Sequence, residues 1–297
     1  RDFKGKSYLN TMIYETAKNY KPDLILLGHS YDIDNSTLER IKDQSKNTVI
    51  SQWFEDHLAD SGPDFSSNRK KLLKYDNFIT SNFITTHPST LKFLKKKKNF
   101  HYLPIPVDKN IEKLKIYENI NQINDVFFSM SHGVNRGKLK RDKQDERHNF
   151  ISELISECPN IIFDIYGYKD REPVWADDFY KVIVNSKMAL NLTRGKPLKY
   201  LTSNRIASLI GNGLLTFIDK KTKLDNFFNS EEVVFYSGLQ DLANKINFYK
   251  SNDKSRVRIA KNGRRRYFDL FECQKVSEYI VSKSFNRETS KKLKWMD

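Results

Sequence analysis

The chain has 297 residues, of which 38% are hydrophobic and 30% charged, and this length predicts two domains of roughly 100–170 residues each. No run approaches the roughly 18–20 apolar residues of a membrane span, so the chain is not expected to cross a membrane. Its formal net charge of +15 predicts attraction to nucleic acid, anionic lipid headgroups or phosphorylated substrates.

The two cysteines, Cys158 and Cys273, lie outside any CxxC pair or Cys/His cluster. Neither a structural zinc site nor a disulfide framework is therefore expected. We expect the protein to be in a reducing compartment, the cytoplasm. The chain begins at Arg1 without a charged-then-apolar leader, which predicts that it has no signal peptide. A start without Met predicts that upstream residues are missing.

The first half alternates helical and strand patterns, which predicts βαβ units with buried parallel strands. In chain order the predicted elements are a helix at 8–20, a strand in KPDLILLGHS, a helix in TLERIKDQ, and strands in NTVISQWFEDH and NFITS, then a helix in HPSTLKFLKKKK and a strand in FHYLPIPVD. Asn35 or Ser36 is expected to cap the second helix. The lysine run at 95–98 is interpreted as a solvated helix end.

The polar stretch LKIYENINQIND lacks a strong period and is predicted to be the interdomain linker. A second alternating series follows it. The predicted strands are DVFFSMS, NIIFDIYG, KMALNL, GLLTFID and EEVVFYS, and the predicted helices are QDERHNFISELISE, DDFYKVIVNS, SNRIASLIG, LQDLANKINFYKS, 254–271 and 274–285. Short apolar strands, each closed by a small or polar residue, predict a doubly wound sheet.

These patterns predict an α/β protein with two Rossmann-like domains and a cleft between them. The predicted bounds are 1–115 and 116–285, followed by a polar tail at 286–297. Ligands bind at the carboxyl ends of parallel strands in such sheets. The loops after Phe128, Tyr166 and Leu192 are therefore expected to open at a binding site.

The stretch NLTRGKPLKYLTSNRIASLIGNGLLTFID, residues 191–219, places several cations in a loop between an apolar strand and a helix. One of three polar residues is expected to cap that helix: Thr202, Ser203 or Asn204. The cap would leave backbone N–H groups and the positive end of the helix dipole toward the loop, where a phosphate can bind. Arg205, with Lys199 or Arg194, would neutralise a diphosphate there. The alternative is an ordinary cap beside a solvated loop.

The order and spacing of elements from 187 onward resemble the C-terminal domain of GT-B glycosyltransferases, specifically the spore-maturation-protein-like group related to family 1. The matching parts are the strand KMALNL, the helix beginning near Arg205, the glycine before GLLTFID, and the segments 231–234, 241–246 and 256–264. In the first half, KPDLILLGHSYDID and YLPIPVD are similar to the family's N-terminal domain. Such enzymes usually begin with one or two more βαβ units, which predicts an incomplete N-terminal domain here.

The resemblance implies a nucleotide-diphosphate-sugar donor on the C-terminal domain, an acceptor on the N-terminal domain and a role in glycan biosynthesis for the cell envelope. The residues expected to bind the donor are Ser131, His132, Gly133, Arg136, Tyr166, Gly167, Arg194, Lys199, Ser203, Asn204 and Arg205. Tyr166 or Tyr168 would stack on the nucleobase. Ser208 departs from the family, in which many relatives carry Glu at that position to bind the ribose.

The predicted activity is transfer of the sugar to a glycan, lipid-linked or protein acceptor, without a cofactor and without a metal. His29 and Asp56 are the candidate catalytic bases, with Glu55 as an alternative to Asp56. Peripheral contact with an anionic membrane is expected, and binding of nucleic acid is not. Two alternatives stay open: a basic module that binds a polyanion, and a transferase-like protein without activity.

Overall fold

A computed structural model describes residues 5–60, 62, 64–95, 97–130, 138–139, 143–144 and 146–296. The helices are α1 (Gly5–Tyr20), α2 (Asn35–Gln44), α3 (Phe65–Leu72), α4 (Glu146–Glu157), α5 (Ala176–Ile183), α6 (Arg205–Gly211), α7 (Leu239–Ser251), α8 (Asp253–Phe271) and α9 (Cys273–Ser284). The strands are β1 (Leu24–Gly28), β2 (Val49–Phe54), β3 (Ser81–Ile84), β4 (Phe100–Tyr102), β5 (Asn124–Ser129), β6 (Lys138–Leu139), β7 (Lys143–Gln144), β8 (Phe163–Tyr166), β9 (Ser186–Asn191), β10 (Leu215–Asp219) and β11 (Val234–Tyr236).

The chain forms two compact units, and each has its own parallel sheet. Unit 1 comprises Arg1–Leu103 together with Val276–Asp297, and unit 2 comprises Pro104–Lys275. Unit 2 thus begins earlier than the predicted bound at 116. The last residues lie with unit 1, whereas the sequence placed them at the end of the second domain and in a tail.

Unit 1 is built on a four-stranded sheet in the order β1-β2-β3-β4, in which all neighbours are parallel. One face packs against α1 and α2, where Leu38 and Ile41 meet Leu27 and Ile50. The other face packs against α9, whose Tyr279 lies 6.1 Å from the ring of Phe83. Side chains alternate between faces along each strand, so apolar residues on both faces are expected in a buried parallel sheet.

Two predicted elements of unit 1 are wrong. The strand predicted in NFITS begins only at its last residue, Ser81, because the chain is still in a turn at residues 77 and 78. The Thr80 amide, just before the strand, already donates to Ile50 O of β2 at 2.8 Å. The helix predicted in HPSTLKFLKKKK is two 3₁₀ turns, Pro88–Thr90 and Lys92–Leu94. Leu91 between them is extended, with φ −100° and ψ 100°, so the hydrogen-bond ladder of a single helix is interrupted.

Unit 2 is built on a five-stranded parallel sheet in the order β8-β5-β9-β10-β11. The chain adds β8 on one side of β5 and then continues with β9 on the other side, so the topological switch point lies between β5 and β9. Ligands of open α/β sheets bind in the crevice outside the carboxyl ends at such a point. The core on one face includes residues of α4 and α7, and the core on the other face includes residues of α5 and α6.

The predicted linker also packs within unit 2. Ile116 is buried in the same hydrophobic core as Phe127 and Leu209, and its amide donates to the carbonyl oxygen of Asn212 at 2.7 Å. Glu112, two residues before this stretch, is buried as well, and burial raises the pKa of its carboxyl above the ordinary value. Among the described residues, no helix has both the length and the apolar character needed to cross a membrane.

Candidate donor and acceptor sites

Arg205 lies at the switch point of the unit 2 sheet. Its Nη2 donates to the carbonyl oxygen of Leu192 at 2.5 Å, and its guanidinium carbon lies 5.0 Å from the ring centre of Phe128. Leu192 follows the last residue of β9, and Phe128 is the last residue but one of β5. The half-buried guanidinium therefore sits at the carboxyl ends of the two strands between which a ligand is expected.

The helix cap predicted at Thr202, Ser203 or Asn204 is not formed by a side chain. Asn204 occupies the N-cap position of α6, but its backbone is helical, with φ −53° and ψ −26°, and its side chain makes no capping hydrogen bond. The hydroxyl of Ser203 instead donates to Asn191 Oδ1 at 3.3 Å. An N-cap side chain normally reaches the helix amides from an extended backbone, and a helical residue at this position points its side chain elsewhere.

Asn191 is a residue that the sequence analysis left out of the candidate site. It ends β9, is only 4% exposed, and its Nδ2 has no hydrogen-bond partner among the described residues. A buried amide donor without a partner costs free energy unless a ligand or another group accepts from it. The available signal was a polar residue at the carboxyl end of an otherwise apolar strand.

The loop between β9 and α6 is anchored to the rest of unit 2. The Gly195 amide donates to Glu146 Oε1 at 2.5 Å, and Tyr200 donates from its amide to Thr222 O at 2.7 Å. The ammonium of Lys199 lies 4.8 Å from the Tyr200 ring centre, and Arg194 is half-buried. The loop is thus held by specific contacts, which separates it from an ordinary solvated connection.

Gly167 follows β8 and packs directly against the end of β5. A Cβ atom at Gly167 would lie 1.9 Å from the carbonyl oxygen of Met130, and the backbone has φ +72°. Both the contact and the left-handed backbone require glycine here. The predicted importance of Gly167 therefore has a structural cause, in addition to any contact with a donor.

The two tyrosines considered for stacking on a nucleobase differ in their surroundings. Tyr168 is buried, with its ring 4.6 Å from that of His148, so it is not available to a base. Tyr166 is half-buried, and the guanidinium of Arg171 lies 3.7 Å from its ring centre. Arg171 also donates to the buried Asp164 at 2.5 Å. Stacking on Tyr166 would therefore have to use the ring area that Arg171 leaves open.

The remaining predicted donor residues, Ser131, His132, Gly133 and Arg136, lie outside the described residues. They follow β5 in the chain, and the first of them, Ser131, comes directly after Met130.

In unit 1 the two candidate bases come together through a third residue. His29 follows β1 and Asp56 lies two residues after β2, at adjacent carboxyl ends of the sheet. The hydroxyl of Tyr31 lies 3.3 Å from His29 Nδ1 and 3.3 Å from Asp56 Oδ2. Burial, and next the charge of Asp56, raise the pKa of Tyr31, so its hydroxyl keeps its proton. Glu55 is half-buried beside this group.

The second half of the chain matches a known family. Residues 143–282 match the family model described as "Glycosyl transferase-like". This segment is glycosyl transferase-like. The predicted relationship to glycosyltransferases is thereby confirmed, and the narrower spore-maturation-protein-like group stays a prediction. The sequence matches none of the curated proteins with which it was compared.

Several solved structures share the fold of this chain. HepE from Anabaena, in complex with UDP and glucose, aligns with a TM-score of 0.63 at 12% identity over 94% of this chain and 81% of that chain. TarM, from S. aureus, aligns with a TM-score of 0.61 at 10% identity over 93% of this chain and 58% of that chain. Sucrose-phosphate synthase from Thermosynechococcus elongatus aligns with a TM-score of 0.58 at 11% identity over 94% of this chain and 77% of that chain. The predicted GT-B-like α/β class is confirmed.

Proposed function

We propose that the protein transfers a sugar from a nucleotide-diphosphate-sugar to a glycan, lipid-linked or protein acceptor. The observation that carries this proposal is the position of Arg205, a half-buried cation at the carboxyl ends of β5 and β9. A guanidinium there can bind the diphosphate with charge-assisted hydrogen bonds. HepE, which shares the fold, was solved in complexes with UDP and with UDP-glucose.

The donor would lie across the end of β9. In this proposal Arg205 stabilises the negative charge that develops on the leaving diphosphate, and Asn191 donates from Nδ2 to the donor. Arg194 and Lys199, in the same loop, add positive charge. We propose that these cations take the place of a metal ion, so chelators should not change donor affinity. Among the residues that the structure describes, no three His, Cys, Asp or Glu side chains are grouped to hold a metal.

Unit 1 would supply the groups that act on the acceptor. His29 and Asp56 are at the carboxyl ends of two adjacent strands, where ligands of parallel sheets bind. An inverting transfer needs a base for the acceptor hydroxyl, and both residue types can serve. Unit 2 would bind the donor, in agreement with the roles predicted for the two halves of the chain.

The proposal is tested by thermal unfolding with a panel of ligands: UDP, UDP-glucose, GDP and ADP, with a short duplex DNA as the polyanion control. A ligand at about a hundred times its dissociation constant stabilises the folded protein by about 2.7 kcal/mol. We expect at least one nucleotide to raise the midpoint and DNA to leave it unchanged at moderate salt. Stabilisation by DNA and by no nucleotide would favour the polyanion-binding alternative.

We also propose that the protein works in the cytoplasm, in peripheral contact with an anionic membrane surface. The net charge of +15 supports this contact, because basic residues near such a surface contribute about 1 kcal/mol each. Flotation with vesicles that contain phosphatidylserine should decrease as salt is raised. Binding that does not depend on salt would contradict an electrostatic contact.

A further inference from the structure

Tyr31 joins the two candidate bases of unit 1 into one hydrogen-bonded chain. Its hydroxyl is within 3.3 Å of both His29 Nδ1 and Asp56 Oδ2. Its ring meets the imidazole edge-on, with centroids 5.9 Å apart, and meets Phe54 of β2 at 6.3 Å. The three side chains come from positions 29, 31 and 56, so the fold, and not the sequence spacing alone, brings them together.

The chemistry of the three groups determines which group donates and which accepts in each of these hydrogen bonds. A tyrosine hydroxyl has one proton to donate, and a carboxylate can only accept. Tyr31 therefore donates to Asp56, and its oxygen accepts from an N–H at His29 Nδ1. A neutral imidazole carries one proton, so Nε2 of His29 is left with its lone pair.

The segment that carries Tyr31 is held by contacts that do not involve His29. The ammonium of Lys74 donates to the backbone carbonyl oxygens of Tyr31, at 2.6 Å, and Ile33, at 2.5 Å. The hydroxyl of the buried Tyr75 donates to Ser30 O at 2.6 Å. The ammonium of Lys71 lies 4.7 Å from the Tyr31 ring centre. Because these contacts fix the segment in advance, little further ordering is needed to hold the Tyr31 hydroxyl between its partners.

We propose that Tyr31 is a positioning residue that couples His29 to Asp56, and that His29, not Asp56, is the base for the acceptor. His29 Nε2 takes the proton of the acceptor hydroxyl as that oxygen bonds to the anomeric carbon. The bond from the anomeric carbon to the diphosphate breaks, and its electron pair leaves with the diphosphate. The positive charge on the imidazole is stabilised through Tyr31 by Asp56. The assignment of the base rests on the proposed function, whereas the coupling does not.

The coupling is tested by the tautomer of His29. Long-range ¹H–¹⁵N correlation spectra of the ¹⁵N-histidine protein are recorded at a pH where free histidine is neutral, and the His29 signals are assigned from His29→Gln. The wild-type protein should show the Nδ1–H tautomer. Tyr31→Phe should lose that preference, because the acceptor for Nδ1–H is gone. Tyr20→Phe, which removes the hydroxyl of an exposed tyrosine at the end of α1, should keep it. An unchanged tautomer in Tyr31→Phe would overturn the coupling.

The assignment of the base is tested by transferase kinetics. His29→Ala should reduce kcat by roughly 100- to 10,000-fold, as expected for a lost general base. Tyr31→Phe and Asp56→Asn should each reduce kcat by about ten- to a hundredfold with KM for the donor unchanged. The variant that carries both Tyr31→Phe and Asp56→Asn should have about the same kcat as the less active of the two single variants. Both substitutions break the same series of hydrogen bonds, so their effects should not multiply. Independent, multiplying losses, or a larger loss in Asp56→Asn than in His29→Ala, would overturn the assignment.

These measurements separate the inference from the proposed function. A protein that binds no nucleotide but shows the expected tautomer change contradicts the function and the role as base, and leaves the coupling supported. A protein that binds nucleotide and transfers sugar with wild-type kcat in Tyr31→Phe supports the function and overturns the role of Tyr31 in catalysis, whatever the tautomer of His29.

Discussion

The carbonyl oxygen of Met130 occupies the position where any side chain at Gly167 would begin, 1.9 Å from an ideal Cβ. Gly167→Ala should therefore destabilise unit 2 by about 3 kcal/mol or more, because the backbone after β5 or β8 must move in addition to the strain of a positive φ. Chemical denaturation monitored by circular dichroism would measure this loss.

Gly238 supplies the matched control for this substitution. Its φ of +95° is also positive, but nothing lies within 4 Å of a Cβ at that position. Gly238→Ala should cost only the backbone strain, about 1–3 kcal/mol. Equal losses in the two variants would show that the contact with Met130 does not determine the requirement for glycine.

Asn191→Asp should weaken donor binding while the protein stays folded. The substitution keeps the oxygen that accepts from Ser203 and replaces the Nδ2 donor, at the proposed diphosphate site, with an anionic oxygen. Affinity for UDP should fall by about tenfold or more, measured by isothermal titration calorimetry. Asn229→Asp is the control, because this exposed asparagine near the amino end of β11 also keeps its acceptor contact, to the Glu231 amide. A similar affinity in both variants would exclude Asn191 from the site.

Much of unit 2 could be predicted from the sequence. Its strands are short apolar runs between helical patterns, and their length and the turn-forming residues that bound them identify such runs as strands. The predicted helix LQDLANKINFYKS coincides with α7, since Gly238 precedes it and an apolar face at 242, 243 and 246 is buried. Prediction failed at NFITS and in the lysine-rich segment. There the apolar residues Phe78 and Leu94 pack from turns, and local propensity does not distinguish a turn from a strand or a helix in such short segments.

The candidate site could be predicted only in part. Arg205 was found because a cation near a helix start after a strand has a clear electrostatic interpretation. Tyr31 was missed because a loop tyrosine has no such signature, and its contact with Asp56 joins residues 25 positions apart. Asn191 was missed because the sequence does not show whether a buried amide has a partner.

Unit 1 should lose stability in mild acid through His101. Burial, and next the charge of Lys283, lower the pKa of His101 to about 4, against an ordinary value near 6.5. Between these two values the unfolded chain binds a proton that the folded chain does not, so the folded state is progressively disfavoured as pH falls from about 6.5 to 4. The effect should be on the order of 1–2 kcal/mol, allowing for the part of the ring that solvent reaches.

The measurement compares urea unfolding of the wild-type protein and of His101→Gln at a series of pH values across this window. The wild type should lose more of its free energy of unfolding than the variant, because Gln does not titrate. Parallel pH profiles in the two proteins would show that His101 does not contribute.

If the loop after β9 binds the donor diphosphate, binding should depend on Arg205. Arg205→Ala should weaken UDP binding by roughly ten- to a hundredfold, because it removes a charge-assisted contact. The fold should also lose about 1 kcal/mol, since the guanidinium donates to Leu192 O, so binding is measured well below the unfolding temperature. Lys95→Ala removes the same charge from an exposed position in unit 1. The decisive measurement is calorimetric titration of the wild type and both variants with UDP. We expect wild-type affinity in Lys95→Ala and a roughly ten- to a hundredfold loss in Arg205→Ala. Equal affinities in the two variants would show that the loop after β9 does not bind the diphosphate through Arg205.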